Sequence, residues 1–358
     1  MSALFSPLTI RGLTLRNRIV LSPMCMYSCE NRDGMASSFH AAHLGARALG
    51  GCGIVMSEAT AVLPNGRISL EDLGIWDDAH VGVLRPVTEA IRLGGAASAI
   101  QLAHAGRKAG TYRPWSKVRG FVPDSEGGIT DRWGPSAIPF REGVPTPLEM
   151  SVEDIRVVVE AFAQAARRSD EAGFDIVELH SAHGYLLHQF LSPISNQRTD
   201  SYGGDWAGRT RIHHEVVEAV RDVWPAHKPL FVRISATDWI DGAWSLEDSV
   251  ALAKSLMPLG VDVFDCSSGG STMDAPIPSG PGYQVHLARG VREGSGMLSG
   301  AVGQITEPAQ AEEIVASGSA DFVFIGREML RDPHWALKAA LALEVEAPWP
   351  NQYAWSVG

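Results

Sequence analysis

Three residues near the middle of the chain, His180, His183 and Tyr185, have types and spacing that could do chemistry. They lie in Glu-Leu-His-Ser-Ala-His-Gly-Tyr, residues 178–185, following the apolar run Phe174 to Leu179. Two imidazoles three residues apart can both donate to one carbonyl oxygen, and a phenol beside them can supply a proton. A lone histidine here would read as a satisfied backbone partner or a solvated side chain, and a lone tyrosine as core. The trio at the end of a buried strand favours function, because α/β barrels carry their chemistry at the carboxyl ends of their strands.

The elements that would hold this trio follow a repeating order. Residues 8 to 19, with Arg11-Gly12 between apolar segments, read as a hairpin leading into a first strand, Ile19 to Ser22. Further strands are expected over Gly53 to Thr60, Ala96 to Leu102, Phe174 to Leu179, Leu230 to Ile234, Val263 to Ser267, Met297 to Gly300 and Phe322 to Ile325. Helical spacing occurs over Phe39 to Leu49, Ala79 to Leu93, Ile155 to Ala172, Arg209 to Trp224, Leu246 to Met257, Glu307 to Ala316 and Asp332 to Leu343. Ser151 before Val152-Glu153-Asp154 is a helix N-cap signal. Strand-then-helix repeated in this way requires parallel strands joined by crossovers. Eight such units predict an α/β fold of the TIM (β/α)8 class, with residues 1–358 as a single domain. Residues 103 to 150 form a long irregular loop after strand three, a length usually given to a lid or a functional segment.

Composition narrows the partners. The formal net charge of -11 argues against nucleic acid and against anionic membrane, both of which need a basic surface. No apolar run reaches the ~20 residues of a membrane span, and the N-terminus lacks the basic-then-apolar pattern of a signal peptide. The four cysteines, at 25, 29, 52 and 266, match neither a disulfide framework nor a zinc or iron–sulfur ligand set. A reducing cytoplasm is the expected compartment.

Other strand ends carry residues suited to a flat polar ligand. Cys25 and Tyr27 follow strand one, Ala59 and Thr60 end strand two, and Gln101 ends strand three. A glutamine offers donor and acceptor to an imide edge, and an arginine can stabilise negative charge on a reduced ring. Gln101 could instead cap a loop, and Arg233 could be an internal ion-pair partner. Arg233 stands in the apolar run Phe231 to Ile234, where burial without an anionic partner is costly, which tips it towards function. Strand seven runs into Ser299 to Gly303 and strand eight into Phe324 to Arg327. Glycines there let backbone amides approach a phosphate, as barrels of this class often do, and Arg327 would add a charge-assisted pair.

These segments together resemble the Old Yellow Enzyme family of flavin-dependent ene-reductases, in the branch with a cysteine after strand one. The matching stretches are Ser22 to Tyr27, Glu58-Ala59-Thr60, Gln101 to Arg107, Glu178 to Tyr185, Asn196 to Gly204, Gly300 to Gly303 and Phe324 to Arg331. They extend over nearly the whole chain in barrel order. The resemblance implies noncovalent FMN, with Pro23, Cys25, Ala59, Gln101 and Arg233 around the isoalloxazine and Gly303, Gly326 and Arg327 at the phosphate. It implies that Cys25 tunes the flavin rather than attacking substrate. His180 and His183 would bind an enone carbonyl, Tyr185 would protonate the α-carbon, and Tyr27 and Trp355 would border the substrate. NAD(P)H would supply hydride, and the expected assembly is a homo-oligomer, dimer or tetramer.

The chain departs from the family pattern at three places. His183 stands where many members have asparagine, Asp205 replaces a serine, and Trp355 lies where some relatives project an arginine into a neighbouring subunit. Rival readings are weaker. A metal held by His180 and His183 lacks a third ligand at a matching strand end, so no metal site is expected. A Schiff-base lyase lacks a strand lysine. A flavin store would need neither proton donor nor carbonyl clamp.

Overall fold

The computed structural model describes residues 2–347 and 349–356. At its centre eight parallel strands close into a barrel: β1 Ile19–Leu21, β2 Ile54–Ala61, β3 Ala97–Ala103, β4 Ile176–Ser181, β5 Leu230–Ser235, β6 Val263–Ser267, β7 Leu298–Val302 and β8 Phe322–Ile325. Each strand pairs with its neighbours in sequence, and β8 returns to β1. One principal helix follows each strand: α1 Ser38–Leu49, α2 Ala79–Leu93, α3 Val152–Glu171, α4 Trp206–Val223, α5 Leu246–Leu256, α6 Val285–Ser295, α7 Pro308–Ala316 and α8 Trp335–Ala342. The TIM (β/α)8 barrel expected from the alternating pattern is the observed architecture.

Local rules explain the outer layer. In α3 the Ser151 hydroxyl accepts from the Asp154 amide while the Asp154 carboxylate accepts from the Ser151 amide, a closed capping pair. Ile155, Val158, Phe162 and Ala166 then recur at helical spacing and are buried against the barrel. Helix α6 is not among the helices expected from the sequence, and it carries two glycines, Gly290 and Gly294. Both glycines face α5, where a β-carbon would press on Leu246 and Val250 at 2.7 Å. They permit close packing of two helices rather than ending one.

The barrel interior is sorted along its axis by the two-residue strand period. At the amino-terminal end, Ile54, Ile176, Phe231, Val263 and Phe322 form an apolar floor. The hairpin Leu8–Ile10 and Leu13–Leu15 plugs it from below through Ile10 and Leu15. Two residues further along the same strands the inward side chains become Glu178, Arg233 and Asp265, and beyond them His180, Ser235 and Ser267. Among the described residues no helix is long and apolar enough to cross a membrane.

Candidate active site

β4 runs two residues further than its apolar pattern, so His180 sits within the strand as a buried inward side chain. His183 follows in the left-handed region at φ 60°, and Tyr185 precedes the short helix Leu186–Leu191. This path brings the three side chains together. The His180 ring lies 5.2 Å from that of His183 and 5.0 Å from that of Tyr185, nearly perpendicular to both.

The unusual backbone at His183 is held from several sides. Its amide donates to Ser235 Oγ at 2.8 Å, and the same hydroxyl donates to Gly269 O at 2.7 Å. Gly184 and Gly270 meet backbone to backbone, so that a β-carbon on either would collide with the other loop. Lys108, from the loop after β3, donates to His183 O at 2.8 Å and to Gly270 O at 3.3 Å. Its ammonium also lies 5.0 Å from the centre of the Tyr185 ring. Behind the loop, His188 Nδ1 accepts from the Gly184 amide at 2.8 Å, and Nε2 of the same ring faces Asp238 at 3.2 Å.

Protonation states follow from burial. Desolvation, and after it the Arg233 charge, holds both His180 and His183 well below their ordinary value, so both are neutral near pH 7. Burial pushes the Tyr185 phenol well up, and it stays protonated. His180 Nδ1 accepts from the Ala182 amide at 3.3 Å, which leaves the ring hydrogen on Nε2. His183 Nε2 lies 2.8 Å from Ser267 Oγ. The same hydroxyl lies 3.4 Å from Gln284 Oε1, and where it donates to the closer His183 instead, the His183 hydrogen resides on Nδ1.

The other expected residues fall into two groups. Cys25, Tyr27 and Ala59 share one packed cluster with Tyr185. A bulge in β2 between Met56 and Ala59 brings Ala59 into register with Gln101. Glu58 accepts from the Met26 amide at 2.6 Å, fixing the segment that carries Cys25 and Tyr27. Burial raises the Cys25 thiol, with the Asp72 and Glu58 charges adding to it, so it is a thiol rather than a thiolate.

The second group is Pro23, Arg233, Gly303, Gly326 and Arg327, which line one cavity of about 490 Å³ with Tyr283, Gln284 and Arg331. Gly303 has φ 125°, a conformation that disfavours a side chain. This cavity suits an elongated anion, since Arg233, Arg327 and Arg331 line it and glycine backbone stays accessible. The residues present fit a bound FMN.

Two expectations need amending. Arg233 has its anionic partner inside the barrel: Nε lies 3.1 Å from Asp265 Oδ2 and Nη1 donates to Ser22 Oγ at 3.2 Å. Arg233 is an internal ion-pair partner and also lines the cavity. Trp355 does not join the trio within this chain, being 83% exposed with its indole donating to Gln352 O. Ser267, Gln284, Lys108 and Arg331 were not anticipated. Only Arg331, within the motif after β8, carried a sequence signal. Among the described residues no group of three or more His, Cys, Asp or Glu is arranged to hold a metal ion.

Known proteins resemble this chain in sequence and fold. The profile of the NADH:flavin oxidoreductase / NADH oxidase family matches residues 3–346. The NADPH dehydrogenase of Bacillus subtilis (strain 168) is 49% identical over 350 residues, covering 98% of each chain. That of Geobacillus thermodenitrificans (strain NG80-2) is 48% identical over 356 residues, covering 99% of each. The solved structure of morphinone reductase superposes with a TM-score of 0.78 at 26% identity, covering 97% of this chain and 91% of that one. The chain belongs to the NADH:flavin oxidoreductase / NADH oxidase family, as an Old Yellow Enzyme-type flavoenzyme that uses FMN and NAD(P)H.

Proposed function

We propose that this enzyme reduces the activated C=C bond of α,β-unsaturated carbonyl compounds. The observation that carries the reading is the cluster of two neutral imidazoles and one protonated phenol, with rings 5.0 and 5.2 Å apart. FMN, when bound, supplies a ring that takes hydride from NAD(P)H and returns it to an electron-poor alkene. The protein residues do the rest. His180 Nε2–H and His183 Nδ1–H converge on the carbonyl oxygen and stabilise the negative charge that develops there. Tyr185 delivers its proton to the α-carbon, and its raised pKa makes the phenolate short-lived.

The remaining assignments support that cycle. Pro23, Cys25, Ala59, Gln101 and Arg233 would border the isoalloxazine, and Gly303, Gly326 and Arg327 the phosphate. Cys25 tunes the cofactor as a neutral thiol, in keeping with the cysteine branch, and forms no adduct. Tyr27 lies with Cys25 and Tyr185 in one cluster and would touch the substrate. Exposed on a single chain, Trp355 would reach substrate only at the mouth of a neighbouring copy, which is our reading of the homo-oligomer. Four cysteines free of disulfides suit a cytoplasmic enzyme.

The test is anaerobic turnover with NADPH and 2-cyclohexenone. Saturated ketone formed in equal amount to the NADPH consumed supports the reading. NADPH oxidation that occurs only with oxygen, and leaves the alkene intact, opposes it.

A further inference from the structure

Beneath the site, the middle layer of the barrel holds two acids and one base. Glu178 on β4, Arg233 on β5 and Asp265 on β6 are inward residues on adjacent strands, with Arg233 and Asp265 directly paired in register. Glu178 and Asp265 are wholly buried, and Arg233 is 5% exposed. Gln101 donates to Glu178 Oε1 at 2.8 Å. Glu178 Oε2 and both Asp265 oxygens have no hydrogen-bond donor, and Arg233 Nε, though 3.1 Å from Asp265, is misaligned for a hydrogen bond.

Charge counting makes this arrangement informative. Two carboxylates against one guanidinium leave a net negative charge, out of contact with water, with three acceptor oxygens lacking donors. Nearby groups do not supply a second cation to this layer. His180 and His183 above it are neutral, Gln101 and Ser22 are uncharged, and Arg233 is the one cation that acts on both Glu178 and Asp265. A buried pair of acids beside a single base resolves this by retaining one proton.

We propose that Glu178 and Asp265 share one proton, and that as positioning residues they aim Gln101 and Arg233 at the cofactor ring while keeping the layer beneath it neutral. Burial raises both carboxyls, Asp265 to about 6 and Glu178 well above its ordinary range, which agrees with the geometry. This inference rests on the reading that Arg233 and Gln101 border the isoalloxazine. It goes beyond that reading in giving the two acids one joint role. Because the proton is shared, removing either acid leaves the other ionised against Arg233. Removing both leaves Arg233 unbalanced, and its charge then favours the reduced, more negative cofactor.

The test uses FMN-loaded wild type, Glu178→Gln, Asp265→Asn and the double variant at neutral pH. Infrared difference spectra of wild type minus each single variant are expected to show a protonated carboxyl band. Each single variant minus the double variant is expected to show none. Asp72, another buried acid with a raised pKa, cancels in every difference. The FMN midpoint potential should rise by less than about 30 mV in each single variant, a tenfold change for a two-electron couple. In the double variant the rise should exceed the sum of the singles.

Absence of the band from either wild-type difference, or its appearance in a single-minus-double difference, would overturn the shared proton. If the infrared pattern is as expected but the double variant keeps the wild-type potential, the proton is shared and the placement of Arg233 against the ring is wrong. If the double variant loses FMN, the wild-type-minus-single bands and the two single-variant potentials decide the matter.

Discussion

On three shared strands the floor and the mouth of the barrel lie four residues apart, and they differ in almost every property. The floor, Ile54, Ile176, Phe231, Val263 and Phe322, is apolar and closed by the hairpin. The mouth, His180, Ser235 and Ser267, is polar, and its side chains depend on hydrogen bonds from neighbouring loops. Each step of two residues keeps a side chain facing inward and exchanges packing for chemistry. The lesson is one of separation: stability is concentrated at one end and reactivity at the other, so the two can be broken independently.

The largest expected effect comes from the floor. Phe231→Ala should cost about 3–5 kcal/mol of folding stability through transfer and cavity formation. Denaturant titration checks this, and a cost below about 1 kcal/mol would mean that the floor is not the stabilising half. At the mouth, His180→Ala should leave that titration much less affected. It should lower the rate of enone reduction by about 2–4 kcal/mol of transition-state stabilisation, as for other lost oxyanion donors. A loss of stability matching that of Phe231→Ala, with the enone step intact, would reverse the comparison.

Acid should act on stability through buried histidines. His104 and His213 are held down to about 3 by burial. In the unfolded chain they take up protons near 6.5, whereas in the folded protein they do not. The unfolded state therefore binds more protons between those values, and stability falls as pH drops below about 6.5. Because buried acids with raised values act the other way, the test is a comparison: from pH 6.5 to 5 the wild-type melting midpoint should lose more than that of His213→Gln, and parallel profiles would contradict the shift.

A smaller effect is expected at Ser267, which faces His183 Nε2 at 2.8 Å. Ser267→Ala removes the hydroxyl that holds His183 Nε2 and orients its ring. The enone step should slow by about 0.5–1.5 kcal/mol, the worth of an ordinary hydrogen bond. Single-turnover reoxidation by enone measures this, and a larger loss than in His180→Ala would move the main donor role to Ser267.

Much of this division was legible in the sequence. Val263–Ser267 and Phe322–Ile325 are the observed strands as read, and Ala79–Leu93 the observed helix. The trio was visible because polar residues rarely follow an apolar strand in such a group. Val285–Ser295 was not, because Gly290 and Gly294 serve helix packing rather than chain reversal. β4 was read two residues short, because His180 and Ser181 are polar and yet buried. Ser267 carried no pattern of its own. It matters through the fold that brings it to His183, 84 positions away in the chain. Asp265 was more readable: one charge in each of two apolar strands, neighbours in the barrel order, already suggests a pair.

The central claim is that the mouth protonates carbon while the cofactor handles hydride, and Tyr185→Phe tests it most directly. The substitution removes one hydroxyl and keeps the ring that packs perpendicular to His180 at 5.0 Å. Stopped-flow absorbance separates reduction of the enzyme by NADPH from its reoxidation by 2-cyclohexenone. The account predicts an unchanged reductive rate and a slowed oxidative rate, in line with the 10²–10⁴-fold contribution of a positioned acid. Wild-type rates in both halves would contradict it and remove Tyr185 from the reaction.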